Sequence, residues 1–258
     1  MNSSSICIVC TDDARRQQAQ ALARQTGLPL LGKKCDDFSL QLCFDHDRVA
    51  LFDTALDTSI HVDFVSGALA HRQQFGGGRG QAIAKAAGLK QGKTPSVLDI
   101  TAGLARDAYI LASLGCKLTL VEQSTVLYAL IEDGIERGQH DAASADTLRN
   151  FTRWINTDAV EYMQHINEKS RPAVIYIDPM YPERKKSALV KKDMQILQRL
   201  LGKDQNAGQL LITALERALE RVIVKRPAHA DALGNIKPDT SIYSKKTRYD
   251  VYLVKNSH

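Results

Sequence analysis

The feature that most constrains the fold is a regular alternation of apolar, strand-like runs with helical stretches from Pro95 onward. "SVLDIT" leads into "ARDAYILASLG", "KLTLVE" into "TVLYALIEDGIERG", and "RWINTD" into "AVEYMQHI". "AVIYID" is followed by helical sequence from about Ser187 to Leu201 and from Thr213 to Leu219, and "RVIVKR" is a further strand. Strands joined by helices pair in parallel, because the helix carries the chain back across the sheet. The alternation therefore predicts a doubly wound, mostly parallel α/β sheet. The closing runs "SIYSKK" and "RYDVYLVK" have no helix between them and predict a terminal antiparallel hairpin at one side.

The amino-terminal third has a different texture. "ICIVC" reads as a strand, and Asp12 or Asp13 is placed to cap the helix "ARRQQAQALARQTG", which Gly27 ends. "SLQLCF" and "RVALF" alternate around "DHD" and predict a hairpin, with "IHVDFV" as another strand. With one helix among its strands, this stretch predicts a small α/β module, more antiparallel than wound. A glycine cluster with cations, "HRQQFGGGRGQ", separates the two textures. The expected organisation is a module over 1–66, a glycine-rich basic connector and helix over 67–94, and the wound domain over 95–258. The glycine cluster reads equally as a mobile flap or as a plain connector.

Composition narrows the classes. The chain has 258 residues, 44% hydrophobic and 24% charged, enough for a sizeable core. No apolar run approaches the ~20 residues of a membrane span, and the start lacks a signal-type segment, so a cytoplasmic protein is expected. Five scattered cysteines form no disulfide framework. Cys7 and Cys10 have redox spacing but lie within an apolar strand, and no second pair completes a metal site. His46, His61 and His165 read as surface or core residues rather than catalysts. The net charge of +5 permits a polyanionic partner without requiring one.

In wound sheets ligands bind at the carboxyl ends of the strands. Asp99 stands near the tip of the first, and Thr101, Ala102 and Gly103 make a small-residue turn that admits a ligand to the backbone. This is neither the dinucleotide fingerprint nor a phosphate loop. Glu122 ends the second strand, where a carboxylate can accept both hydroxyls of a ribose. Asp158 follows the third strand and either accepts from an exocyclic amine such as adenine N6 or caps the next helix. The fourth strand ends in "IDPMYPERKKS", where Asp178 and Pro179 are followed by Tyr181 and a run of cations.

That last run resembles the motif of S-adenosylmethionine-dependent methyltransferases that act on exocyclic amines of bases. Asp178, Pro179 and Tyr181 match its Asn/Asp/Ser-Pro-Pro-aromatic pattern, and Met180 replaces the second proline. Together with "VDFVSGALAHRQQFGGGRGQAIAKAAG", "DITAGLARDAYILASLGC" and "VIVKRP", it is similar to the ribosomal RNA small subunit methyltransferase J family. The resemblance covers about residues 60–258 well and the amino-terminal module loosely. It implies a Rossmann-like class I methyltransferase sheet, S-adenosyl-L-methionine as cofactor, and methylation of a guanosine N2 amine in 16S rRNA, free or in a small-subunit particle. Family cofactor contacts fall on Arg106, Asp107, Glu122, Gln123, Asp158, Ala159 and Asp178. The family pattern favours glycine where this chain has Ala105, arginine at Gln123, and small hydroxyl residues at Asp158 and Ala159.

On this reading Asp178 receives the target amine, Pro179 fixes the turn and Tyr181 stacks on a flipped base. His71, Arg72 and Arg79 in the connector, Arg184, Lys185, Lys186, Lys191 and Lys192 after the motif, and Lys225 and Arg226 on the next strand are candidate phosphate contacts. Three other readings stay open. They are a methyltransferase for adenine N6 or protein glutamine, a non-catalytic RNA-binding protein, and a nicotinamide oxidoreductase, which the single-glycine turn argues against.

Overall fold

The structure is a computed structural model and describes residues 6–66, 77–90, 92–179, 192–202 and 207–254. The described residues form two sheets. The larger has seven strands: β6 (Ser96–Asp99), β7 (Lys117–Glu122), β8 (Phe151–Asn156), β9 (Val174–Ile177), β10 (Arg221–Pro227), β11 (Thr240–Tyr243) and β12 (Thr247–Leu253). Their spatial order is β11-β12-β10-β9-β6-β7-β8. β6 to β10 are parallel, and β12 is antiparallel to both β10 and β11. This is the expected wound sheet with its terminal hairpin. The chain winds outward from β6 in one direction and returns through β9 in the other. The crevice between β6 and β9 is thus the topological switch point where such sheets bind ligands.

Helices cover both faces. α3 (Arg106–Ser113) and α4 (Thr125–Gln139) lie on one; α6 (Ala159–Gln164) and α8 (Ala207–Arg217) on the other. The second of the helices expected after β9 begins earlier than its sequence pattern suggests. The described part of the first is α7 (Lys192–Leu201), its expected start at 187–191 falling outside the described residues. Two short helices, α2 (Ala82–Ala86) and α5 (Ala145–Leu148), complete the set described here. The alternation of side chains along a strand explains the two faces. Val174 and Tyr176 of β9 pack toward α3 and α4, while Ile175 and Ile177 pack toward α6 and α8.

The amino-terminal module holds the second sheet. β1 (Ile6–Cys10), β2 (Leu30–Leu31), β3 (Leu40–Phe44), β4 (Val49–Asp53) and β5 (Thr58–Ile60) lie in the order β2-β1-β3-β4-β5. The predicted β3–β4 hairpin is present, but the expectation of a mainly antiparallel module needs correction. β1 is parallel to both β2 and β3, because α1 (Arg16–Thr26) is a crossover that returns the chain alongside its start. The strand expected over "IHVDFV" stops at Ile60. Asp63 draws the N–H groups of Val65 and Ser66 onto its side chain, which diverts the backbone from the ladder.

Val62 and Phe64 still point inward, and Phe64 stacks on Tyr109 of α3 at 4.9 Å and meets Phe151 of β8 edge-on at 5.7 Å. One apolar core therefore runs from the amino-terminal sheet through α3 and α4 to the larger sheet. Gly134 of α4 permits the approach, since a Cβ there would collide with the Val62 side chain. The divisions at 66 and 94 remain a proposal about chain organisation. All five cysteines are free. Burial pushes the thiols of Cys7, Cys43 and Cys116 up to about 11, which leaves them protonated and unreactive. Among the described residues, no helix is long and apolar enough to cross a membrane.

Candidate active site

The carboxyl end of β6 opens into a turn built by its own side chains. Asp99 is buried, and its Oδ1 accepts the Thr101 N–H at 3.0 Å. Gly103 and Ala105 both take left-handed backbone, with φ of 55° and 53°. Glycine adopts this freely, whereas alanine is strained by about 1–2 kcal/mol. Ala105, where the family pattern favours glycine, therefore does occupy a positive-φ position, and it sits fully buried at the start of α3.

Glu122 ends β7 beside this turn. One carboxylate oxygen accepts the Gly103 N–H at 2.8 Å and the other the Ser124 N–H at 2.8 Å. The carboxylate is thus fixed between the first two strand–helix connections, with acceptor capacity left for a ligand. Burial is the main influence on its titration and raises it, while the backbone donors at Ser124, Gly103 and Gln123 oppose the rise. Gln123 is exposed. Asp158 accepts the Glu161 N–H at 2.9 Å, so it caps α6, and Ala159 is buried behind it.

Asp178 follows β9 directly. Its N–H donates to Thr101 Oγ1 at 2.7 Å, tying the fourth strand's turn to the first. Its Oδ2 accepts from Lys225 Nζ at 2.8 Å, and Asp107 Oδ2 accepts from the same ammonium at 2.7 Å and from the Tyr176 hydroxyl at 2.7 Å. Pro179 is buried next to Asp178. Val224 pairs with Ile177, so the following residues of the two strands, Lys225 and Asp178, stand side by side.

This placement corrects two expectations. The sequence suggests Lys225 and Arg226 on one edge, both facing phosphate. Successive residues of a strand face opposite ways, and here Lys225 turns to the two carboxylates. Arg226 is buried and donates to the carbonyl of Asp231 at 2.8 Å. Two further cations are also engaged with protein. The Arg79 guanidinium donates to the carbonyls of Lys93 and Leu114, which lead into β6 and β7 at the end away from the crevice. Lys192 donates to the Leu56 carbonyl of the amino-terminal module at 3.2 Å. Arg106 pairs with Asp193 at 2.8 Å. Tyr181, His71, Arg72, Arg184, Lys185, Lys186 and Lys191 lie outside the described residues.

The charge balance of the crevice is unequal. Asp99, Asp107, Glu122 and Asp178 surround the turn, and the ammonium that bonds two of them belongs to Lys225. Burial, then the neighbouring carboxylates, push Asp99 up to about 8, the Thr101 N–H opposing. Burial and Asp107 raise Asp178, against the pull of Lys225. Burial lowers Lys225, but Asp178 and Asp107 outweigh it and hold the amine charged, well above the ordinary lysine range. An acid-rich pocket with a fixed carboxylate at the second strand end fits a ligand that is a nucleoside carrying positive charge, which describes S-adenosylmethionine. Beside Lys225 and Asp107 lies a cavity of about 350 Å³, lined also by Gln81, Thr247 and Tyr249.

Comparison with known proteins agrees with that donor set. The profile of a family described as a putative SAM-dependent methyltransferase matches residues 21–254. Ribosomal RNA small subunit methyltransferase J from Psychromonas ingrahamii is 45% identical over 248 residues, covering 96% of each chain. The protein of that name from Aeromonas hydrophila is 46% identical over 249 residues, covering 96% of this chain and 97% of the relative.

This chain belongs to the ribosomal RNA small subunit methyltransferase J family.

It is an S-adenosylmethionine-dependent rRNA methyltransferase with a Rossmann-like class I fold. A solved structure of a SAM-dependent methyltransferase from Neisseria gonorrhoeae is similar over 97% of both chains, with a TM-score of 0.77 and 31% identity.

Sequence reasoning finds the strand-end acids but misses two features of the site. Tyr176 passes for strand filling, although a buried tyrosine hydroxyl requires a partner and shares a strand face with Asp178. The bridging role of Lys225 is hidden because its partner Asp107 is 118 residues away in sequence.

Proposed function

We propose that this protein transfers a methyl group to the exocyclic N2 amine of a guanosine in 16S rRNA, acting in the cytoplasm on free RNA or a small-subunit particle. The observation that carries the reading is Asp178, fixed at the carboxyl end of β9 with its backbone tied to Thr101 and its carboxylate facing the crevice acids. The names of the relatives support the RNA substrate.

Bound S-adenosylmethionine supplies an electrophilic methyl group and a sulfide leaving group. Glu122 is suited to accept the ribose hydroxyls, and the Thr101–Gly103 turn lets the ligand approach the backbone. Asp178 accepts a hydrogen bond from the guanine N2 amine and orients its lone pair for in-line attack. As the new C–N bond forms, the nitrogen becomes cationic, and the Asp178 carboxylate stabilises that charge and takes the proton it sheds. Tyr181 stacks on the extruded base, and Arg184, Lys185, Lys186 and Lys191 hold the flanking phosphates.

The test uses labelled S-adenosylmethionine with small-subunit particles and naked 16S rRNA from cells lacking the protein, followed by nucleoside analysis. The expected product is N2-methylguanosine, abolished by Asp178→Ala. Label in another nucleoside, or in protein, overturns the assignment of the acceptor.

A further inference from the structure

We propose that Lys225 is a positioning residue for the transfer, holding Asp178 ionised and correctly turned by bridging it to Asp107. The proposal rests on the reading of Asp178 as the carboxylate that receives the target amine.

The geometry is specific. Lys225 Nζ donates to Asp178 Oδ2 at 2.8 Å and to Asp107 Oδ2 at 2.7 Å, and Asp107 is held in turn by the Tyr176 hydroxyl at 2.7 Å. The chain of contacts joins β10, β9 and α3. It converts the parallel register of β9 and β10 into a fixed direction for one carboxylate oxygen. A lysine ammonium has three donors, and these bonds engage two of them. The Lys225 side chain retains 26% exposure and lines the cavity beside β12, so the bridge borders open space rather than lying sealed in the core.

The surroundings show why a cation is needed. Around Asp178 stand Asp99 from β6, Asp107 from α3, Tyr176 from β9 and Lys225 from β10. Glu122 of β7 lies beyond Asp99, and Tyr249 of β12 lies opposite Lys225. Of these groups the carboxylates disfavour a further negative charge at Asp178, the phenols are neutral, and Lys225 is the cation. A protonated Asp178 could still accept a hydrogen bond but could not take the proton the amine sheds, and it would stabilise the developing positive charge less. Lys225 opposes that outcome, in agreement with the directions in which Asp178 and Lys225 titrate. Deleting an adjacent cation raises a carboxyl by about one to three pH units.

The experiment measures kcat against pH at saturating RNA and S-adenosylmethionine for wild type, Lys225→Met, Lys225→Arg and Asp107→Asn. Cofactor affinity is followed in parallel by calorimetry with S-adenosylhomocysteine. Lys225→Met is expected to move the acid limb of kcat upward by about one to three pH units. Lys225→Arg is expected to keep the limb near its wild-type position. Asp107→Asn, which removes the competing carboxylate, is expected to move it downward. An unchanged limb in both Lys225→Met and Asp107→Asn overturns the proposal, even if either variant is less stable. Should Lys225→Met fail to fold, Lys225→Gln takes its place: an upward shift of the acid limb supports the bridge, and an unchanged limb overturns it. Failure of the acceptor assignment is separate, since it appears in the wild type as the wrong product or no product.

Discussion

Two clusters of buried acid and base serve different ends in this molecule. The first fastens the amino-terminal module to the larger sheet. Asp133 of α4 is fully buried and paired with Arg15 at 2.8 Å and Arg137 at 2.8 Å, and Arg137 also donates to the Val62 carbonyl. Asp53 of β4 is fully buried, accepts both N–H groups of Ala55 and Leu56, and is held by Arg199 of α7 at 2.8 Å on each oxygen. The second cluster is the crevice, where Asp107 and Asp178 share one ammonium and Asp99 is bonded to Thr101. In the clamp three guanidiniums, those of Arg15, Arg137 and Arg199, face two carboxylates. In the crevice, among the described residues, the carboxylates outnumber the cation that bridges them. The contrast is one of charge balance: cations exceed acids in the clamp and acids exceed the bridging cation in the crevice, which on the proposed function suits a cationic ligand.

The comparison can be broken most sharply at the clamp. Asp133→Ala strands two guanidiniums that are mostly buried, and should lower stability by about 3–5 kcal/mol in urea denaturation. The rate per folded molecule should hold. A matching loss of kcat in the folded fraction would mean that the clamp also shapes the site.

The crevice should show the opposite trend. Asp99 titrates at about 8 when folded, against an ordinary value of 3.8. A carboxyl that holds its proton more tightly when folded penalises the folded state as pH rises. Wild-type stability should therefore fall between about pH 4 and pH 8, by at most about 1.4 kcal/mol per pH unit from this group. Asp99→Asn should remove that slope, so the variant gains on wild type as pH rises through the window, while its cofactor affinity falls. Melting temperatures at matched pH values check it; parallel curves would mean that Asp99 does not titrate in this window.

The pair Arg106–Asp193 links the start of α3 to the start of α7 and is partly exposed. Asp193→Ala should change stability by less than about 1 kcal/mol, because water screens the pair. The smallest effect is expected at Ala105→Gly. It relieves left-handed strain of about 1–2 kcal/mol, but adds about 0.5–1 in chain entropy and loses a buried methyl worth about 0.8. The net should lie within about 1 kcal/mol of zero. A loss above about 2 kcal/mol would show that methyl packing, not backbone strain, dominates this turn.

Much of this architecture is legible in the sequence. The parallel sheet follows from strand–helix alternation, and it brings Asp99, Glu122 and Asp178 to one edge, since parallel strands align their carboxyl ends. Partners distant in sequence are not legible. Nothing local to Lys225 or Arg226 announces Asp107 or the Asp231 carbonyl, although strand alternation alone separates the two cations onto opposite faces. The parallel pairing of β1 with β3 is hidden because β2 is only Leu30–Leu31, too short to read as a strand. Asp158 shows both possibilities in sequence, and the geometry shows the cap.

The most direct test of the central claim is single-turnover methyl transfer by Asp178→Asn, with S-adenosylhomocysteine affinity and melting temperature measured on the same preparation. Asparagine keeps the shape but neither ionises nor takes a proton. Transfer should be slowed by about 10²–10⁴-fold with the fold intact and the cofactor still bound. Transfer at the wild-type rate would contradict this role and remove Asp178 from the chemistry.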